Sequence, residues 1–254
     1  QGISHALLAD HTNIAWLTGF AAPIYLGSHP VTSAPPLLWY GEGEYTLFLP
    51  DTIAEHDPGF GEEEGCSVVT YPGNPYRTPK LRQDALHRTL GDFLNAHAPH
   101  AGTIGIEAFY APTEAGWLLR DAVGSAEIRA IDELITPLRA IKTDEEIAIL
   151  QRNFDLTGIG QAAARAATRP GATEMDVWNA ATAAIESAAG ERVGLGNDFA
   201  SGRRQGNVGG PPSNRVLEEG DTMLVDISVI RAGYWSDCCA TYFTAVPTEH
   251  QLGF

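Results

Sequence analysis

Residues 223–237 read MLVDISVIRAGYWSD and place two aspartates, Asp226 and Asp237, on either side of a predicted chain reversal. Asp226 lies inside an apolar, β-branched run, where burying an unpaired carboxylate is costly. The usual compensation is a metal ion, a cationic partner or a set of hydrogen-bond donors. This stretch therefore indicates both the local fold and a candidate site.

The predicted geometry of the stretch favours a metal ion between the two aspartates. Residues 222–230 and 234–244 are predicted to form antiparallel strands. With Arg231 and Ala232 as a two-residue loop, Asp226 lies directly opposite Asp237, with Cβ atoms about 4.5–5.5 Å apart. Facing carboxylates repel unless a cation separates them, and two divalent ions about 3.5–4 Å apart would fit. A β-bulge would shift the register and spoil the pairing.

Composition restricts the class of protein. The 254 residues are long enough for a sizeable core and predict two domains. No apolar run is long enough to span a membrane. The net charge of −16 argues against nucleic-acid partners and anionic membrane surfaces. Three cysteines (Cys66, Cys238 and Cys239) do not suggest a disulfide framework, so we expect a reducing, cytoplasmic location.

The order of predicted elements indicates a small α/β domain over residues 1–136, followed by an α+β domain over residues 137–254. In the first domain we expect strands at 35–40, 45–50 and 103–107 and helices at 81–98 and 113–123.

In the second domain, Thr143 and Glu146 form a predicted capping box. The helix that follows carries a predicted apolar side made of Ile147, Leu150, Phe154 and Ile159. A second helix opens at Thr173 and buries Val177, Ala180, Ala181 and Ile185. A glycine-rich loop from Gly202 to Gly210 and the aspartate hairpin complete the domain. Asp198 is predicted to lie in a turn, with an approach to the substrate as the alternative reading.

Several stretches, in this order, resemble the creatinase/aminopeptidase P/prolidase group of pita-bread (M24-type) metallopeptidases. Residues 13–20 (NIAWLTGF) are similar to the N-x-x-Y-L-T-G-F opening of the family's N-terminal domain. Residues 138–147 (LRAIKTDEEI) resemble the start of its catalytic domain. Further matches are RPGATE at 169–174, ASG at 200–202, PSNRVLEEGD at 212–221, and the spacing of Asp226 and Asp237.

The resemblance implies an N-terminal creatinase/prolidase-type α/β domain and an α+β pita-bread catalytic domain. It also implies a hydrolase that cleaves the bond before proline by a metal-activated water. The family holds two divalent ions (Mn, Zn or Co) with two Asp, one His and two Glu, and Asp226 and Asp237 match the first two ligands. Relatives usually form homodimers, and the partner molecule is a peptide or small-molecule substrate.

Three departures from the family pattern bear on function. The remaining His and two Glu would fall beyond Phe254, so we expect only the first half of the pita-bread domain here. Gly209 stands where the family has a substrate-binding histidine, and no histidine lies between His100 and His250. Ala240 stands where the family has an arginine. The catalytic residues are therefore unknown from the sequence.

Three residues are candidates for substrate binding. Arg203 and Arg204 suit an anionic group of the substrate, with surface loop charges as the alternative reading. Tyr234 is a candidate aromatic wall beside the metals, with ordinary strand packing as the alternative. Two other functions stay open: a creatinase-like C–N hydrolase without metal, and a catalytically dead peptide-binding module on the same scaffold.

Overall fold

The computed structural model describes residues 2–21, 36–54, 65–73, 82–206 and 209–252. The chain divides into two compact units, Gln1–Ile141 and Lys142–Phe254. Some predicted segments lie partly outside the described ranges. These parts include Pro35, Leu81 and residues 207–208 inside the glycine-rich loop. None of the helices in these ranges is long and apolar enough to cross a membrane.

The first unit is a six-stranded mixed sheet with helices around it, which confirms the α/β prediction. The strand order is β4-β3-β2-β1-β5-β6, in which β1 pairs antiparallel with β2 and parallel with β5. The strands are β1 (Ile3–Leu8), β2 (Leu37–Gly41), β3 (Glu44–Pro50), β4 (Cys66–Tyr71), β5 (Thr103–Ile106) and β6 (Glu127–Ala130). The helices are α1 (His11–Thr18), α2 (Asp51–Ala54), α3 (Arg82–His97), α4 (Thr113–Val123) and α5 (Asp132–Ala140).

A buried carboxylate ties the end of β5 to the start of α1. Glu107 is fully buried and accepts hydrogen bonds from the backbone N–H groups of Ala9 and Asp10 and from Asn13 Nδ2. Asn13 Oδ1 in turn accepts from Arg139 of α5 at 2.7 Å. Buried polar groups need such partners, so this network explains why an asparagine and a glutamate lie in the core of the unit.

The second unit packs two helices against one face of a four-stranded antiparallel sheet. The helices are α6 (Asp144–Ala167) and α7 (Glu174–Ala189), and α8 (Glu249–Leu252) follows the sheet. The strands are β7 (Gly194–Ser201), β8 (Thr222–Arg231), β9 (Tyr234–Trp235) and β10 (Cys238–Phe243), in the order β10-β8-β7, with β9 also paired to β8. A 3₁₀ helix, Gly202–Gly206, follows β7.

The predicted capping box and the helix that follows it are confirmed, but the apolar side of α6 is not its buried side. Thr143 Oγ1 and the Glu146 carboxylate exchange hydrogen bonds with each other's backbone N–H groups. Ile147, Phe154 and Ile159 are exposed, by 53%, 45% and 42%. The buried side of α6 instead carries small and polar residues, which are Glu146, Asn153, Thr157, Gly160, Gln161 and Ala164.

The strand β7 corrects a second expectation. Asp198 does not lie in a turn: it lies within this strand, paired with β8. The glycines and the Asn197-Asp198 pair are unfavourable in strands, so the residues of β7 gave no strand pattern. The hydrogen-bonded pairing with the long, apolar β8 stabilises the extended conformation of β7, which its own residues do not favour.

Candidate functional site

The hairpin that carries the two aspartates turns one residue later than predicted. Arg231 pairs with Tyr234 and Ile230 with Trp235, so the loop is Ala232-Gly233. Both loop residues have positive φ, 51° and 77°, as a type I′ hairpin turn requires.

The register that follows differs from the predicted one. Asp226 lies opposite Cys239, and Asp237 falls opposite Ser228, whose hydroxyl donates to Asp237 Oδ1 at 3.4 Å. The expectation that Asp226 faces Asp237 directly is therefore wrong. Because the shift is by two positions, both carboxylates stay on the same face of the sheet as diagonal neighbours.

Asp226 lies on the face of β8 that points away from the apolar core. Met223, Val225, Ile227 and Val229 alternate with it and point into the core against α6 and α7. Asp226 is half-buried, and its Oδ1 atom is buried without a hydrogen-bond partner among the described residues. Burial raises the pKa of Asp226, and the negative charges of Asp237 and Asp198 raise it further. Such a carboxylate gains most from a bound cation.

Helix α6 fixes the hairpin through three polar residues spaced four apart. Asn153 Nδ2 donates to the carbonyls of Arg231 and Tyr234, at 3.2 and 3.0 Å. Gln161 Nε2 donates to the carbonyls of Val225 and Cys238.

Between these two residues, Thr157 Oγ1 lies 2.6 Å from Ser236 Oγ. The Ser236 hydroxyl also accepts from the backbone N–H of Val229 at 2.9 Å. Ser236 lies in the short segment between β9 and β10, and its side chain links that segment to β8. Asp237, the next residue, is positioned by this fixed segment.

Asp198, for which the sequence analysis favoured a turn over an approach to the substrate, lies beside the two aspartates. It pairs directly with Asp226 across β7 and β8, and so extends the acidic row to three carboxylates. Gly209 approaches it closely: a Cβ atom added at Gly209 would lie 2.9 Å from the Cβ, Cγ and Oδ2 atoms of Asp198. Two features of the sequence could have indicated this contact: an acidic residue two positions before the ASG stretch, and a glycine at position 209.

The thiol of Cys239 lies beside the same row. Burial raises the pKa of Cys239, and the charges of Asp226, Asp237 and Asp198 contribute. A raised pKa disfavours the thiolate, which is the form that binds metals. Cys238 and Cys239 carry free thiols.

The three predicted substrate-binding residues lie in different surroundings. Arg203 is exposed on the 3₁₀ helix. Arg204 Nη1 donates to the fully buried carboxylate of Glu174, and its Nη2 donates to the carbonyl of Pro211 at 2.8 Å. Tyr234 donates its hydroxyl to Glu146 Oε1 at 2.8 Å. Substrate binding by these residues stays a prediction, and the hydrogen bonds of Arg204 and Tyr234 favour structural roles.

The residues present fit part of a metal site. Asp226 and Asp237 supply two carboxylates on one face, and Asp226 Oδ1 is a buried acceptor without a donor among the described residues. Within the described ranges, no three or more His, Cys, Asp or Glu side chains are grouped so that they could hold a metal ion. The described residues thus offer two carboxylates, fewer than a complete ligand set.

Comparison with known proteins assigns both units. Residues 1–141 match the Creatinase/Prolidase N-terminal domain and residues 149–252 match Metallopeptidase family M24. The chain belongs to this family of pita-bread peptidases, as the sequence resemblance indicated.

Individual relatives agree with that assignment. The Xaa-Pro dipeptidase of Pyrococcus furiosus is 29% identical over 125 residues, which cover 49% of this chain and 36% of the relative. The Xaa-Pro dipeptidase of Pyrococcus horikoshii is 25% identical over 253 residues, covering 99% of this chain and 63% of the relative. The crystal structure of the prolidase from Pyrococcus horikoshii aligns with a TM-score of 0.75 at 21% identity, covering 99% of this chain and 63% of that one. The chain thus spans less than two thirds of the length of these relatives, and its fold is that of an N-terminal creatinase domain followed by the first part of a pita-bread domain.

Proposed function

We propose that the protein carrying this chain is a metal-dependent hydrolase of the Xaa-Pro aminopeptidase or dipeptidase type, which cleaves the bond before proline in a peptide substrate. Membership of the M24 family and the similarity to two Xaa-Pro dipeptidases support the reaction class. The observation that carries the proposal is the buried, unpaired Oδ1 atom of Asp226 on the same sheet face as Asp237.

Asp226 and Asp237 are the proposed metal ligands of this chain for two divalent ions, of manganese, zinc or cobalt. When bound, such ions supply a water nucleophile at neutral pH and polarise the scissile carbonyl. The chain's own contribution is to hold the two carboxylates at a fixed separation. Ser236, Thr157 and Gln161 do this through the hydrogen bonds that join α6 to the hairpin.

Substrate contacts and assembly are further parts of the proposal. Among the predicted substrate-binding residues, Arg203 is the best placed for an incoming anionic group because it is exposed. Arg204 and Tyr234 would act beside it only if their present hydrogen bonds to Glu174 and Glu146 were exchanged. A homodimer and a cytoplasmic location complete the proposed description.

A peptide-binding module without catalysis is the second candidate. Gly209 favours it, because position 209 supplies no side chain to the site and its backbone packs against Asp198. Turnover of Xaa-Pro peptides by the metal-loaded protein separates the two candidates.

The test is metal content by elemental analysis of the full-length protein after loading with manganese or zinc. We expect close to two ions per chain, with loss of metal in the double variant Asp226→Asn/Asp237→Asn. Glu219→Gln, which removes an exposed charge of the same unit, is the matched control and should keep its metal. A metal-free wild-type protein, or metal retained in the double variant, contradicts the proposal. Metal with no turnover of Xaa-Pro peptides supports the binding module.

A further inference from the structure

A cavity of about 390 Å³ opens in the first unit, at the edge of the sheet where three parallel strands end. Because β1, β5 and β6 run in the same direction, the segments that follow them meet at this edge, where α/β sheets commonly bind ligands. The cavity is lined by Asp10 after β1, Phe109 and Tyr110 after β5, and Asp132 and Glu133 after β6, together with the next turn of α5. Its volume lies within the range of small-molecule sites in proteins.

Two aromatic side chains of the cavity stay exposed in a fixed position. Phe109 is 83% exposed and Tyr110 is 48% exposed, and their rings meet edge to face with centroids 5.1 Å apart. Asp132 accepts from the backbone N–H of Phe109 at 2.9 Å, and the Glu107 carbonyl accepts from that of Tyr110 at 3.2 Å. These bonds hold the turn that carries the rings. Exposed aromatic rings held in this way gain burial when a ligand covers them.

The walls of the cavity contain a nearly buried carboxylate with an unused oxygen. Asp10 is only 7% exposed, and its side-chain contacts with Thr12 and His11 are all made by Oδ1. Its Oδ2 atom accepts no hydrogen bond from the residues that the structure describes. Burying a carboxylate oxygen without a donor is costly, so a cationic ligand in the cavity would stabilise it.

The unit's own basic residues leave the negative charge of the cavity in place. Within the described part of the chain, Asp10, Asp132 and Glu133 form no ion pair with a lysine or arginine, and none of the lining residues is basic. Arg139, the basic residue of α5, instead donates to Thr12 Oγ1 at 2.9 Å and to Asn13 Oδ1 at 2.7 Å. The cavity therefore combines carboxylates with exposed rings and lacks a cation.

We propose that this cavity is a binding site for a guanidinium group. In the strand order β1-β5-β6, its carboxylates stand on both sides of the aromatic turn that follows β5. A guanidinium suits this combination better than an ammonium, because it is planar and weakly hydrated, stacks on rings and binds a carboxylate through two N–H groups. The group belongs either to a free small molecule or to an arginine side chain of a peptide. The site lies in the first unit alone, so the inference does not depend on the proposed metal ligands or hydrolase activity.

The test is a calorimetric titration of the full-length protein with three probes. They are agmatine, a Gly-Arg-Gly peptide blocked at both ends, and the same peptide with citrulline, the uncharged analogue of arginine. We expect both guanidinium probes to bind at one site per chain, and the citrulline peptide to bind at least about tenfold more weakly. Tighter binding of agmatine identifies a free small molecule as the source, and tighter binding of the arginine peptide identifies a side chain. Equal affinity for the arginine and citrulline peptides, or no binding of either guanidinium probe, overturns the inference.

Two variants locate the binding in the cavity. Asp10→Asn removes the charge but keeps a residue that caps the start of α1 as well as aspartate does. Phe109→Ala removes an exposed ring, so the fold is retained even if Asp10→Asn is unstable. Affinity for the guanidinium probes should fall about tenfold in Asp10→Asn and about threefold in Phe109→Ala. Unchanged affinity in Phe109→Ala and in folded Asp10→Asn overturns the inference.

A matched pair of exposed glutamates and the metal-ligand variant serve as controls. Glu133 lies in the first turn of α5 and lines the cavity, whereas Glu114 lies in the first turn of α4 outside it. Glu133→Gln should weaken binding of both guanidinium probes about threefold, and Glu114→Gln should leave it unchanged. The double variant Asp226→Asn/Asp237→Asn should bind them as wild type does. Equal losses in the two glutamate variants, or loss of binding in the double variant, would place the guanidinium elsewhere and overturn the inference.

Discussion

Thr157 of α6 and Ser236 at the step between β9 and β10 share a buried hydrogen bond of 2.6 Å between their hydroxyl oxygens. Ser236 is only 1% exposed and Thr157 likewise 1%. The same Ser236 hydroxyl accepts the backbone N–H of Val229. The Ser236 hydroxyl thus takes the place of a backbone carbonyl as acceptor for the Val229 N–H, and it also joins the hairpin to α6. The next residue, Asp237, depends on this arrangement for its position.

Replacing Ser236 by alanine should lower both stability and metal affinity. The change leaves the Val229 N–H without its side-chain acceptor and removes one of the two hydrogen bonds of the Thr157 hydroxyl, which should cost about 1–3 kcal/mol of unfolding free energy. Because residues behind metal ligands tune metal affinity about 10–100-fold, manganese binding should weaken by about tenfold or more. Urea unfolding and calorimetric titration measure the two effects. The exposed Ser187→Ala should change neither, and unchanged metal affinity in Ser236→Ala would refute the positioning role.

Glu174 should be among the residues most sensitive to substitution in the second unit. Its carboxylate is fully buried and accepts from Ser201, Ser213 and Arg204, through both backbone and side-chain donors. In Glu174→Gln, an amide N–H would face these donors and the Arg204 guanidinium would lose its counter-charge. Breaking such a buried pair costs about 3–5 kcal/mol.

The control for Glu174 lies on the same helix. Glu186 pairs with the exposed Arg192 at 3.6 Å, so Glu186→Gln should cost less than about 1 kcal/mol. Denaturant unfolding of the two variants side by side measures the difference. Similar losses for both would mean that the buried network contributes no more than a surface pair.

For the hairpin, the strands and the face that carries the aspartates were predicted correctly from the sequence, but the pairing register was not. Both strands and the shared face of Asp226 and Asp237 were predictable from the alternation of β8, because a slip of two residues preserves the face. The predicted register was wrong because the loop was placed at Arg231-Ala232. A type I′ turn needs positive φ at both loop positions, and Gly233 should have been counted inside the loop.

The buried side of α6 and the strand β7 were not predicted, for a different physical reason. Helical periodicity of apolar residues located a stripe on α6, but Ile147 and Phe154 in that stripe are exposed, while the helix uses Asn153 and Gln161 to satisfy the hairpin backbone. Such a polar interface follows from tertiary contacts that no periodicity records. Asp198 was wrongly placed in a turn because β7 gains its order from pairing with β8, which its own residues do not reveal.

The ion pair of Arg215 and Asp221 should make stability depend on pH in the acid range. Burial by itself would raise the pKa of Asp221, but hydrogen bonds from Arg215 and from the Glu218 N–H, together with the guanidinium charge, lower it below the usual value of 3.8. An acid with a lowered pKa in the folded state adds stability above its unfolded pKa, and this contribution is lost as pH falls through the folded pKa. Asp221→Asn should therefore cost about 1–3 kcal/mol at pH 7 and progressively less below about pH 4.

Unfolding of wild type and Asp221→Asn in urea at pH 7, 5, 4 and 3 checks this dependence. Glu219→Gln, an exposed neighbour that also loses one negative charge, should show a small difference from wild type that varies little over the same range. A cost of Asp221→Asn that is constant from pH 7 to pH 3 would contradict the lowered pKa.

The close approach of Gly209 to Asp198 should appear as a coupling between their substitutions. Gly209→Ala places a Cβ atom 2.9 Å from three atoms of Asp198 and forces a residue with a side chain to adopt φ of 93°. We expect a loss of about 2–4 kcal/mol in unfolding free energy, part from overlap and part from the backbone. In an Asp198→Gly background the overlap is removed and only the backbone cost remains, so the same change should cost at least about 1 kcal/mol less. Strictly additive costs in this double-mutant cycle would mean that the two residues do not touch, and the packing of Gly209 against Asp198 would then have no basis.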